Sequence, residues 1–193
     1  MLMKEFEVPG TGKIVLLDDI SSAMFKFPNK TIVIIETIED YVNMALIQHR
    51  RILMDLEQIN NSYIPRLGPH GTVGQPILVS GKELTNLLLG DIHYYIICWH
   101  KIGKLMENLN VLISLNHANL ETYNSLFYNF RKIRNSFEHI NERIEKEIIE
   151  IGSFDGTFFT SYDDHKIDLK NGEDHLRDFY GNLLEDLNNQ MSP

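Results

Sequence analysis

The sequence predicts a mainly α-helical chain: an antiparallel helical bundle with a small β-hairpin and short N-terminal β segments. Three observations carry that reading. Apolar residues recur at three- and four-residue steps along three long stretches, the period of one helix face. Turn-rich segments separate those stretches. β-type runs are short and lie towards the two ends, where they flank a bundle more readily than they build a central sheet.

Residues 1 to 36 form a flanking segment with two β-leaning runs, Lys13 to Leu17 and Thr31 to Ile35, separated by loop residues that include Pro28 and Asn29. The two runs are expected to make a small ribbon. Pro9 to Lys13 has the glycines of a phosphate loop. However, Glu7 stands where the leading Gly belongs and Ile14 where Ser or Thr should reach a metal, so the chemistry is missing.

Thr37 with Asp40 three residues on has the form of a capping box, which starts a helix at about residue 37. Ile38, Val42, Ala45, His49, Ile52, Leu56 and Ile59 then form its apolar seam, with His49 the polar member, and the helix ends near 63, before Pro65. Residues 65 to 80 hold three Pro and three Gly and read as a connecting loop.

From 82 to 115 the seam is Leu84, Leu88, Asp91, Tyr95, Cys98, Ile102, Leu105, Leu109 and Leu112, interrupted only by Asp91. Gly90 and Gly103 mark points where so long a helix is expected to bend. His93 and His100 share a face but lack a third ligand at helical spacing, so they read as a polar or partner-facing pair and not as a zinc site. The exposed aromatics expected here, Tyr94 and Trp99, suit an interface between two copies.

The short connection 116 to 119 favours an antiparallel third helix over 120 to 150. Its stripe is Tyr123, Phe127, Phe130, Phe137, Ile144 and Ile148, with Arg134 and Asn141 at the two polar positions. With Arg134 at zero and about 100° per residue, Glu138 falls near 40°, Glu142 near 80°, Asn135 near 100° and His139 near 140°. One flank of the helix is therefore a polar wedge from Arg134 to His139.

Beyond it, turn signals at 154 to 157 and at Asp163, Asp164 and His165 predict a hairpin over 154 to 169. Three consecutive residues in a strand cannot all face one ion, so that second cluster reads as a turn and not a metal site. Asn171 is placed to cap a last helix over 172 to 188, which buries Leu176, Phe179, Leu183 and Leu187. No repeat or linker divides the chain. It reads as a single domain with a flanking segment (1–36), a bundle core (37–150) and a hairpin plus C-terminal helix (151–193).

Composition narrows the function classes. The single cysteine, Cys98, excludes an intrachain disulfide and fits a reducing cytoplasm, and no apolar run approaches the roughly 20 residues of a bilayer span. The net charge of −9 disfavours a general nucleic-acid binder, yet the imbalance is local. Residues 1 to 134 hold 13 basic and 13 acidic side chains, residues 135 to 193 hold 5 and 14. Two basic clusters, His49 to Arg51 and Arg131, Lys132 and Arg134, are thus left as a candidate patch, against the plainer reading of a solvated acidic surface.

The run Arg134, Asn135, Ser136, Phe137, Glu138, His139, late in a helical bundle, resembles the Arg-x4-6-His motif of the HEPN superfamily (higher eukaryote and prokaryote nucleotide-binding). The resemblance implies a small helical bundle that dimerises, and a metal-independent RNA endonuclease whose site lies between two copies of the motif. Arg134 would hold the scissile phosphate, His139 would move protons and Asn135 would orient them, with no metal or cofactor. The family's toxin branch pairs with a nucleotidyltransferase antitoxin, so an antitoxin-like protein partner is also implied. That branch has a Tyr two residues after the His, where this chain has Asn141.

His49, Asp91 and Arg134 are charged or polar members of three apolar stripes. A buried unpaired charge costs several kcal/mol, so these groups are expected to meet, and an Asp91 to Arg134 contact in particular is expected. Asp91, Glu138, His49 and Asn141 then count as supporting residues. Two other readings stand beside the nuclease: a non-catalytic module that binds a nucleotide, RNA or protein through the wedge, and an inert scaffold in which Arg134 and Asp91 are purely structural. The wedge can also be read as helix-surface pairing of Arg134 with Glu138 and His139 with Arg143, each four apart.

Overall fold

The structure, a computed structural model, describes residues 3–8, 12–17, 27–62, 81–139, 152–154, 157–161 and 163–191. The expected loop at 65–80, the second half of the motif helix with Asn141 and Glu142, and the turn residues 155 and 156 lie outside the described residues.

Four long helices make up most of it. Helix α1 spans Asn29–Ser62, α2 Gly81–Leu112, α3 His117–Glu138 and α4 Gly172–Met191. They pack in alternating directions. The start of α1 lies beside the end of α2, His93 of α2 faces Phe137 of α3 while Gly103 faces Phe127, and on α4 Gly172 faces His49 while Tyr180 bonds Glu39. The expected antiparallel bundle is therefore present.

Its first helix begins earlier than the capping signal at Thr37. Thr31 and Ile35 are buried while Val33 between them is 58% exposed, which is the helical period; a strand would bury all three on one face. Ile38, Val42 and Ala45 continue the same stripe, so packing overrides the β preference of the run Thr31 to Ile35. Thr37 sits inside the helix, and its hydroxyl donates to the Val33 carbonyl at 2.6 Å. The N-terminal ribbon does form, but from other partners. Strand β1 (Met3–Val8) pairs antiparallel with β2 (Gly12–Leu17), with Phe6 opposite Ile14.

The core takes side chains from all four helices. Helix α2 buries Leu88, Tyr95, Cys98 and Ile102 and also Ile92, Ile96, Trp99 and Met106, because α1, α3 and α4 pack on different sides of it. Trp99 is fully buried, stacked on Phe130 at 4.9 Å and tilted against Phe179, which overturns its place on a surface interface; Tyr94 is 41% exposed as expected. Helix α2 runs unbroken past both glycines. At Gly103 the absent Cβ leaves room for the Phe127 ring, whose nearest atom would stand 3.0 Å from it, so that glycine serves close helix approach and not a bend. Cys98 is enclosed, and burial pushes its thiol up to about 12, which makes it unreactive.

The hairpin expected near 154–169 is an antiparallel meander of β3 (Gly152–Phe154), β4 (Phe158–Ser161) and β5 (Lys166–Asp168). Its second turn holds Asp164 at φ 61°, a conformation that Asp tolerates. Phe159 of β4 packs on Phe137 at the end of α3, so the meander braces the end of the helix that carries the motif.

Candidate functional site

Arg134 lies one turn before the end of α3. Its side chain is 30% exposed and reaches Glu138 at 2.5 Å, the pairing expected of residues four apart. Asn135 is half-buried and His139 exposed. The His139 backbone N–H still bonds the Asn135 carbonyl at 3.0 Å, so the wedge ends in helical geometry. Phe137 turns inward and stacks on His93 of α2, ring centroids 4.8 Å apart and nearly parallel.

That stack brings a second element to the motif. Burial pushes the His93 imidazole below its ordinary value, with Glu138 acting upward and Arg134 downward; its Nε2 is buried without a hydrogen-bond partner among the described residues. Two turns along α2, His100 is held low first by burial and then by Arg134, Lys104, Lys101 and Arg131. Burial thus favours the neutral form of both imidazoles. Around them stand cations that can hold a phosphate.

Two of the expected supporting residues are elsewhere. Asp91 meets Arg51 of α1, Oδ2 to Nε 3.2 Å, and not Arg134. From Asp91, about 100° per residue puts His93 and His100 near 200° and 180° on the same helix. The face of α2 that carries Asp91 is thus opposite the one that meets α3. Asp55 lies against Asp91, and burial together with that second carboxylate raises its own carboxyl to about 6.

His49 is also apart from the site. It is buried, and its Nε2–H donates to the Leu169 carbonyl at 2.6 Å, which ties α1 to the loop before α4. Burial lowers its pKa, although that bond acts the other way. With His49 enclosed and Arg51 paired to Asp91, the cluster at 49–51 does not join Arg131 and Arg134 in one patch. Lys101 and Lys104 of α2 take its place.

The residues that sequence reading missed are thus Lys101 and Lys104, together with the role of His93 and His100. Their seven- and three-residue spacings were visible, but nothing in the sequence says which face of α2 meets α3. Among the described residues no group of three or more His, Cys, Asp or Glu side chains is arranged to hold a metal. No described helix is long and apolar enough to cross a membrane. Compared with known proteins, the chain matches no protein-family model, no curated protein and no solved structure.

Proposed function

We propose that this is an RNA-binding protein of the HEPN type that engages a phosphodiester on the α2–α3 face and cleaves it without metal. The observation that carries the reading is the gathering of Arg134, Lys104, Lys101 and Arg131 around His100, with His93 also near Arg134, in a chain whose net charge is −9. Arg134 leaves Glu138 to bind the phosphate, and the exposed His139 takes the 2′-hydroxyl proton. The 2′-oxygen then attacks phosphorus, the bond from phosphorus to the 5′-oxygen breaks, and a second acid protonates the leaving oxygen. The products are a 2′,3′-cyclic phosphate and a 5′-hydroxyl. One motif supplies one exposed imidazole, so the reading includes a homodimer whose second copy provides that acid.

The test is incubation of the purified protein with single-stranded and structured RNA in excess EDTA, with end-group analysis and light scattering on a sizing column. Cyclic phosphate ends that disappear in His139→Ala support the proposal. Cleavage that survives in His139→Ala, or that needs added metal, rejects it. A second reading, a module that binds RNA without cutting it, is favoured by one feature: Glu138 already occupies Arg134 at 2.5 Å and repels a phosphate. Binding without cleavage by a folded protein selects that reading.

A further inference from the structure

Beside the wedge, α2 and α3 part to leave a groove of about 400 Å³ lined by His100, Lys104, Asn124, Phe127, Tyr128 and Arg131 among others. Three kinds of group meet there. Lys104 and Arg131 are cationic, and Arg131 takes part in none of the ion pairs among the described residues. Tyr128 is an aromatic ring left 54% exposed, with Lys132 Nζ over it at 5.3 Å and His165 at its edge. Asn124 and Asn110 supply amides that can both donate and accept. An apolar occupant would leave Arg131 and the amides unused, and a bare inorganic anion would leave the aromatic wall unused. A planar, hydrogen-bonding ring joined to a phosphate satisfies all three.

We propose that this groove binds one nucleoside phosphate unit, its phosphate at Lys104 and Arg131 and its base against Tyr128 and Phe127. Gly103 contributes indirectly, because the missing Cβ lets Phe127 sit close to α2 and form the floor. Glu107 stands on the rim, bonded to Lys104 at 2.9 Å. Both side chains of that pair are at least half exposed, so water screens it and the ammonium keeps two N–H donors for a phosphate. The groove meets the proposed RNA site at His100, which feels both Arg131 and Arg134. The assignment rests on the preceding reading only in naming RNA as one source of the unit; free nucleotide is the other.

The experiment is equilibrium binding by the full chain of three probes: AMP, a non-cleavable 2′-O-methyl tetra-adenylate, and inorganic phosphate. Binding of AMP or the tetranucleotide at least tenfold tighter than phosphate is the expected result. Tyr128→Ala and Arg131→Ala, both exposed positions, should each weaken it by about tenfold or more with unchanged melting. AMP binding as tightly as the strand identifies free nucleotide as the ligand, and a strand at least tenfold tighter identifies RNA; either supports the groove. Binding of neither nucleotide probe, phosphate binding as tight as AMP, or affinities indifferent to both groove variants overturns it. Groove binding that persists while RNA is never cleaved in EDTA removes the nuclease reading alone.

Discussion

Arg134→Ala is expected to abolish RNA cleavage while lowering stability by less than about 1 kcal/mol, and the small cost follows from where the side chain sits. Were Arg134 the partner of a buried Asp91, its removal would strand a carboxylate in the core at a cost of about 3–5 kcal/mol. Instead its partner is Glu138, one turn along the same helix, with side chains 30% and 41% exposed. Such pairs contribute about 0.3–0.5 kcal/mol, and loss of the aliphatic stem adds a little. In a chain of this size a change of about 1 kcal/mol moves the melting temperature by about 2–4 °C. Thermal and urea melts of the two proteins read this directly, beside the cleavage assay in EDTA. A loss of about 3 kcal/mol or more would refute the argument, since it would mean that the guanidinium compensates a buried charge.

Four further outcomes follow from the same geometry. Gly172→Ala places a Cβ at 2.6 Å from His49 Cδ2 and 2.7 Å from the Tyr95 hydroxyl; both rings are buried, so overpacking should cost about 1–3 kcal/mol in a urea titration. Trp99→Ala should cost about 3–5 kcal/mol and leave the oligomeric state unchanged on a sizing column, because the ring is fully buried. Asp55, raised to about 6 by burial and Asp91, keeps a proton that the unfolded chain has already released, so its contribution is fully present below the unfolded pKa and lost as pH rises through about 6. Asp55→Asn should accordingly raise the melting temperature more at pH 7.5 than at pH 4.5. Buried His49 has the opposite sign: its lowered pKa means the unfolded chain takes up the proton first, so stability falls as pH drops below about 6.5, and His49→Gln should flatten that part of the profile.

Period and punctuation in the sequence determined which stretches are helical and where the chain turns. Val42, Ala45, Ile52 and Leu56 carry a helical period that no strand can use, and Asp163, Asp164 and His165 carry turn chemistry that any fold must respect. Those signals act between near neighbours, so they are legible one segment at a time. The run Thr31 to Ile35 reads as β for the same reason, since its β-branched residues suit a strand locally, and the core that receives Thr31 and Ile35 but not Val33 makes it helix instead. The site divides along the same line. The order Arg134, Asn135, His139 and the Arg134–Glu138 pair are properties of one helix and could be read from spacing. Which residues face that helix is not, because each helix buries more than one side and the sequence does not record which neighbour lies on each. Tertiary packing alone decided that Asp91 turns to Arg51, that His49 closes the loop at Leu169, that Trp99 is enclosed, and that His93 and His100 stand near Arg134, with Arg131 brought to His100 beside Lys101 and Lys104. These are contacts between residues tens of positions apart, made by helix faces whose orientation is fixed only when all four pack together.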